Sequence, residues 1–333
     1  MVHRIDQRGS SLSRREALVQ GILVGASVLG GGASRGAPWS ISRSPAAEAE
    51  DQKAASGWID AHVHVWTEEL DKYPLAQGFT VAEMVPQRYR PEDLFADCRP
   101  EGVQRIVLIQ MSYYGFDNSY MTDVIAAHPG VFSGVAVIDP ADPELEQNLK
   151  TLASQGVRGF RIHGSPEQTR EWPRNRAMQR LWSLAAREGL AICPLINPAD
   201  IPTVDTLCQM FPETTVVVDH FARIGMRGEI DRGDLEALSR LARFPRVHVK
   251  TSAFYALGKK EPPYEDLWEM IARMRDAFGP ERLMWASDAP FQVQAPHTYK
   301  ASIELIRSAP PRVLSDADKN WILRDTAARV YFS

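Results

Sequence analysis

The chain reads as an α/β protein, a single (β/α)8 TIM barrel behind an export leader, and three observations predict it. Short apolar runs alternate with longer amphipathic segments from residue 58 onward, the pattern of repeated βα units around a parallel sheet. Eight such runs occur, at 58–65, 105–110, 132–138, 157–163, 190–196, 215–220, 247–251 and 283–288. The chain beyond the leader has the length of such a barrel, roughly 250 residues. A doubly wound open sheet would carry a Gly-rich phosphate turn after an early strand, and neither GxGxxG nor a Walker pattern is present.

Before the first run, Ser13-Arg14-Arg15 precedes a glycine-diluted apolar stretch at 17–34. That stretch is too short and too weakly apolar for a membrane span and suits the core of a signal peptide. Paired arginines in front of it resemble a twin-arginine export signal. Residues 35–56 are rich in Ala, Ser, Gly, Pro and charge, the composition of a disordered linker, and Ala47-Glu48-Ala49 has the small-x-small form of a cleavage site. The expected organisation is a signal at 1–34, a linker at 35–56 and a barrel at 57–333, with export to the periplasm or beyond and no stable membrane insertion once the leader is cut.

Helical segments fill the spaces between strands. They are expected at 91–99, 118–128, 143–155, 175–188, 201–211, 232–244, 264–278 and 295–308. In the fourth, Met178, Leu181, Trp182 and Ala185 recur at helical spacing. Ser315 is placed to cap a last helix reaching Arg329, with Asp318 three residues on in a capping box.

Composition narrows the function. Of 333 residues, 44% are hydrophobic and 24% charged, and the formal net charge is −4. No basic patch or tail points to a nucleic-acid partner, so the expected partner is a small molecule. The sequence is compatible with a monomer or a homo-oligomer. Three widely spaced cysteines, Cys98, Cys193 and Cys208, form neither a disulfide framework nor a CxxC metal pair. Packing is the expected role of Cys193, which falls in a core strand.

Chemistry-bearing residues gather where strands end. The first strand reads Asp60-Ala61-His62-Val63-His64. Residues two apart point to one side of a strand, so His62 and His64 project together. The sixth ends Val218-Asp219-His220 and the eighth ends Ala286-Ser287-Asp288. Either carboxylate alone would be explained as a cap for the following helix. Three strands finishing in metal-ligand residue types are explained better by convergence on the carboxyl-terminal face of a barrel. His62, His64, His220 and Asp288 form a nitrogen-rich set with one carboxylate, suited to one zinc or manganese ion with a position open for water. Asp288 would orient that water and take its proton, with His220 beside it. Arg161 and His163 share a side at the end of the fourth strand, where a guanidinium could grip a carboxylate or make a structural ion pair. Gln110, Tyr113 and Asn118 follow the second strand and are candidate ligand contacts.

At these residues the sequence resembles the amidohydrolase-related branch of the amidohydrolase superfamily, in particular the pyrone-dicarboxylate lactonase and sugar lactonase group. Asp60-Ala61-His62-Val63-His64 resembles its first-strand signature, and Val218-Asp219-His220 and Arg282-Leu283-Met284-Trp285-Ala286-Ser287-Asp288 its sixth and eighth strands. Gln110 to Asn118, Gly134-Val135-Ala136-Val137 and Gly156-Val157-Arg158-Gly159-Phe160-Arg161 resemble the middle of its barrel. The resemblance implies hydrolysis of a lactone or similar ester, with Asp288 as general acid/base and the three histidines as ligands or carbonyl-polarising groups. Relatives in the same branch decarboxylate aromatic acids on a metal. Two departures bear on this: the fifth strand, Ala191-Ile192-Cys193-Pro194, offers no histidine, and no lysine ends the fourth, so a carbamate-bridged pair of metals is not expected. One divalent metal or a metal-free mechanism is what the residues permit. A metal-dependent decarboxylase or hydro-lyase, or an exported binding protein without catalysis, are the competing readings.

Overall fold

The computed structural model describes residues 57–333. The signal and linker expected at 1–56 lie outside the described residues. Eight strands form one parallel sheet in sequence order. They are β1 Trp58–Val63, β2 Val103–Ile109, β3 Phe132–Ala136, β4 Val157–Ile162, β5 Ala191–Pro194, β6 Thr215–Val218, β7 Val247–Thr251 and β8 Leu283–Trp285. The sheet closes on itself at the carboxyl-terminal end. Val63 bridges Ala289 in parallel, Asp288 N donates to His62 O at 2.9 Å, and His64 N donates to Ala289 O at 2.9 Å.

All eight expected strands form, and most are shorter at their carboxyl ends than the apolar runs suggested. The polar residues there turn away from the sheet into the loops that carry the chemistry. Helices also follow expectation, among them Arg176–Arg187, which buries Met178, Leu181, Trp182 and Ala185. Asn175 accepts from Ala177 N and Met178 N to start that helix. The last expected helix forms with its Ser315–Asp318 capping box and runs through Asp316–Asn320, a π turn at Trp321–Asp325 and Thr326–Tyr331 without a break. Among the described residues no helix is long and apolar enough to cross a membrane.

Two apolar layers hold the barrel. The larger fills the space between strands and helices and contains Val63, Leu108, Phe160, Trp182 and Trp285. The smaller fills the barrel, with Ile59, Ala61, Val107, Val135, Cys193, Val217 and Met284 facing one another, and Tyr331 of the terminal helix closes its floor. Cys193 is therefore a packing residue, and burial pushes its thiol up to about 11.

Candidate active site

A bulge in β1 decides which side chains reach the site. Between Asp60 and Val63 the strand advances three residues while β2 advances two, from Ile106 to Leu108. The extra residue reverses the alternation. Ile59 and Ala61 face the barrel interior below the bulge, and His62 and His64 do so above it. Asp60 points outward instead, accepting from Ser287 N at 2.9 Å and from Tyr299 OH at 2.6 Å, and so ties β1 to β8.

His62, His64 and Asp288 meet directly. Their Nε2 atoms lie 3.2 Å apart, and each lies 3.5 Å from Asp288 Oδ1. That oxygen is buried without a hydrogen-bond partner. Ligand atoms around a tetrahedral zinc at 2.0–2.2 Å stand about 3.3–3.6 Å apart. The three measured edges match one face of such a tetrahedron. His64 Nδ1 faces the carbonyl of Ile109 at 2.9 Å and must donate to it, which turns the lone pair of Nε2 toward Asp288. The donor set thus fits a divalent metal. A second cluster, His62, Asp219 and His220, is close enough in space, but the Lys250 ammonium already lies 3.0 Å from Asp219 Oδ1 and 3.1 Å from His62 Nδ1. A fixed cation there opposes a second one.

His220 stands on the other side of Asp288, its Nε2 3.9 Å from Oδ2 and its ring centroid 4.4 Å from that of His62. The turn that holds it is unusual. His220, Phe221, Ala222 and Arg223 follow one another with φ of 51°, 51°, 53° and 58°. Left-handed backbone costs non-glycine residues roughly 1–2 kcal/mol each. The turn drops Phe221 and Ala222 into the outer core and aims His220 and Arg223 into the same pocket. His220 Nδ1 lies 2.7 Å from Ser252 Oγ, which fixes the ring.

That pocket, of about 240 Å³, opens above His64, His220 and Asp288 and is walled by Arg161, Arg223, Tyr255 and Phe291. Arg161 Nε is 3.5 Å from Asp219 Oδ2, while Arg223 reaches Asn197 Oδ1 at 3.5 Å and has no carboxylate partner among the described residues. Two guanidiniums in so small a space favour an anionic group. Burial depresses the Arg223 guanidinium and Arg161 depresses it further. Tyr255 OH donates to Asp288 Oδ2 at 2.8 Å.

Electrostatics set the protonation states. Burial by itself would raise the carboxyl of Asp288, but His220, His64 and His62 outweigh it and hold it below the usual carboxylate range. Burial also pushes His220 down to about 4, and burial with Lys250 holds His62 well below its ordinary value. Near neutral pH the imidazoles of His62 and His220 are therefore neutral beside an ionised carboxylate. Asp219 is opposed by burial but held low by Lys250 and His62. It caps no helix and serves as the counter-charge of the barrel floor.

The other expected contacts lie elsewhere. Gln110 donates to Asp117 O, Tyr113 donates to Glu83 O at 2.8 Å, and Asn118 bonds Val137 N and Val137 O. All three secure the loops after β2 and β3, and none walls the pocket. His163 is exposed and lines a neighbouring cleft. Lys250, Ser252, Tyr255 and Arg223 were not anticipated. A signal existed for Lys250, because Val247-His248-Val249-Lys250 alternates polar with apolar residues inside a buried strand.

The family model described as Amidohydrolase matches residues 59–332. An L-fucono-1,5-lactonase of Burkholderia ambifaria is 26% identical over 243 residues, 72% of this chain and 82% of that protein. A 4-sulfomuconolactone hydrolase of Hydrogenophaga intermedia is 25% identical over 282 residues, 83% of this chain and 88% of that protein. A crystal structure of an amidohydrolase from Burkholderia multivorans with bound zinc superposes with a TM-score of 0.71 at 21% identity, over 83% of this chain and 99% of that one, and shows the likeness of fold.

Proposed function

This chain belongs to the amidohydrolase family, and from that premise we propose that it is a lactone hydrolase that adds water to the carbonyl of a small carboxylate- or sugar-acid-like lactone. The observation that carries the reading is the bare Asp288 Oδ1, buried and unpartnered between two imidazole nitrogens. Lactone hydrolysis in two relatives supports it.

His62, His64 and Asp288 would hold one divalent ion, with His220 beside it. Zinc is the first choice because three N and O donors stand at tetrahedral separations, and manganese is the second. When bound, the ion polarises the lactone carbonyl and acidifies water. The residues do the rest. Asp288 accepts the proton of the attacking water, the acyl carbon–ring oxygen bond breaks, and the same proton passes to the departing ring oxygen. Oδ1 faces the ion's place between His62 and His64, and Tyr255 donates to Oδ2, so both oxygens of the carboxylate are oriented while it moves the proton. Arg161 and Arg223 bind an acidic substituent and the carboxylate formed on ring opening.

The test joins turnover to metal content. Wild type should release hydroxy acid from at least one member of a lactone panel and carry about one equivalent of divalent ion by elemental analysis. Asp288→Asn should lose turnover by a factor of about 10² to 10⁴ while remaining folded. An Asp288→Asn protein with full activity sinks the mechanism. Export by the twin-arginine route belongs to the same proposal and rests on Ser13-Arg14-Arg15. Cell fractionation should find the protein outside the cytoplasm, and Lys at both arginines should keep it inside.

A further inference from the structure

A second and larger cleft, of about 460 Å³, lies on the same carboxyl-terminal face and shares with the pocket the end of β4. It is bordered by Asp139 after β3, His163 after β4, and Gln168, Trp172 and Asn175 on the segments that follow. His163 stands at the junction. It lies two residues beyond Arg161, which walls the pocket. Burial lowers its imidazole first, and the charges of Arg161 and Arg223 lower it further.

The hydrogen-bonding capacity in this cleft is only half spent. Asn175 commits Oδ1 to Ala177 N and Met178 N. Gln168 commits Oε1 to Ser165 N, and Asp139 commits Oδ1 to Ala141 N. The two amide nitrogens and the second oxygen of Asp139 are left for a ligand, beside an exposed imidazole that can donate or accept. Donors and acceptors in alternation suit hydroxyl groups, each of which does both. Asp139 and Glu167 at the border disfavour an anion.

We infer that this cleft is a subsite for a neutral, polyhydroxylated substituent, a glycosyl unit, carried by a lactone whose ring occupies the neighbouring pocket. The inference rests on the lactone-opening reading. It makes Asp139, His163 and Gln168 specificity residues for the extended part of the substrate, outside the reacting atoms.

The experiment compares two lactones that differ by one sugar: glucono-1,5-lactone and its 4-O-galactosyl derivative, lactobiono-1,5-lactone. Initial rates above spontaneous hydrolysis are measured on the full chain. The glycosylated lactone should be preferred about tenfold or more in kcat/KM, mainly through KM. Asp139→Asn, Gln168→Ala and His163→Leu should each erode that ratio, by roughly the several-fold value of a hydrogen bond, and Asp139→Asn should leave the gluconolactone rate within twofold. Equal kcat/KM for the two lactones in the wild type overturns the subsite, as does a preference that survives all three substitutions. Hydrolysis of acidic lactones alone also overturns it and leaves lactone hydrolysis standing. A protein that opens no lactone at all refutes the parent reading instead.

Discussion

Lys250 is the residue on which the site's charge balance turns. It is completely buried, as is its partner Asp219, and it touches His62 from below. An ammonium removed from water survives only with a close counter-charge, and the reverse holds for the carboxylate. Lys250→Met would leave Asp219 with the more distant Arg161 and an imidazole that burial keeps neutral. The expected loss is about 3–5 kcal/mol of stability, read as a lowered denaturation midpoint. Adding Asp219→Asn should recover part of it, because the stranded charge is gone; a double variant no better than the single one refutes the pairing. Sequence made only half of this legible. His62, His64, His220 and Asp288 were visible because they end strands in residue types that chemistry needs. Lys250 left only the polar–apolar alternation of its strand, and Arg223 left nothing, since it gains its place from a left-handed turn that no residue type announces.

At the level of elements, apolar periodicity identified every strand, because a parallel sheet covered on both faces needs near-continuous apolar runs. It did not locate where strands stop, since a strand end is a hydrogen-bonding event and not a composition change. Nor did it show the β1 bulge, which is a mismatch between two strands far apart in sequence. The terminal helix was expected from its Ser315 cap, but apolar spacing did not show what the helix does. Thr326–Tyr331 carries Tyr331 into the barrel floor, with its ring 5.7 Å from Lys250 Nζ and its hydroxyl 3.5 Å from Cys193 Sγ. Tyr331→Ala would open a cavity beneath a buried ion pair. Loss of a large buried aromatic costs about 3–5 kcal/mol, and Tyr331→Phe should cost far less because the ring still fills the floor. Thermal melts of the two variants separate packing from the hydroxyl, and equal losses would refute the packing account.

Across the whole molecule, several imidazoles are buried in the neutral state, and this couples stability to pH. Burial brings His220 and His248 each down to about 4, and burial with Lys250 holds His62 well below its ordinary value. In the unfolded chain all three titrate near 6.5. Between those values the unfolded state binds more protons, so stability is intact above about pH 6.5 and falls as the pH drops toward 4. For His220 and His248 each shift corresponds to roughly 3 kcal/mol when fully expressed. Asp60 works in the opposite sense. Burial raises it to about 6, so acidification relieves a cost there, although it is one group against three. The denaturation midpoint should therefore fall steadily from pH 7 to 4.5. His248 offers the clean control because it lies at the start of β7, away from the pocket, with Nδ1 on the carbonyl of Arg246 at 3.1 Å. His248→Gln should flatten the slope by up to one proton's worth without touching the site. A midpoint independent of pH over this range would mean that the imidazoles are not buried as neutral groups, and the arrangement of neutral nitrogens around an ionised Asp288 would fail with it.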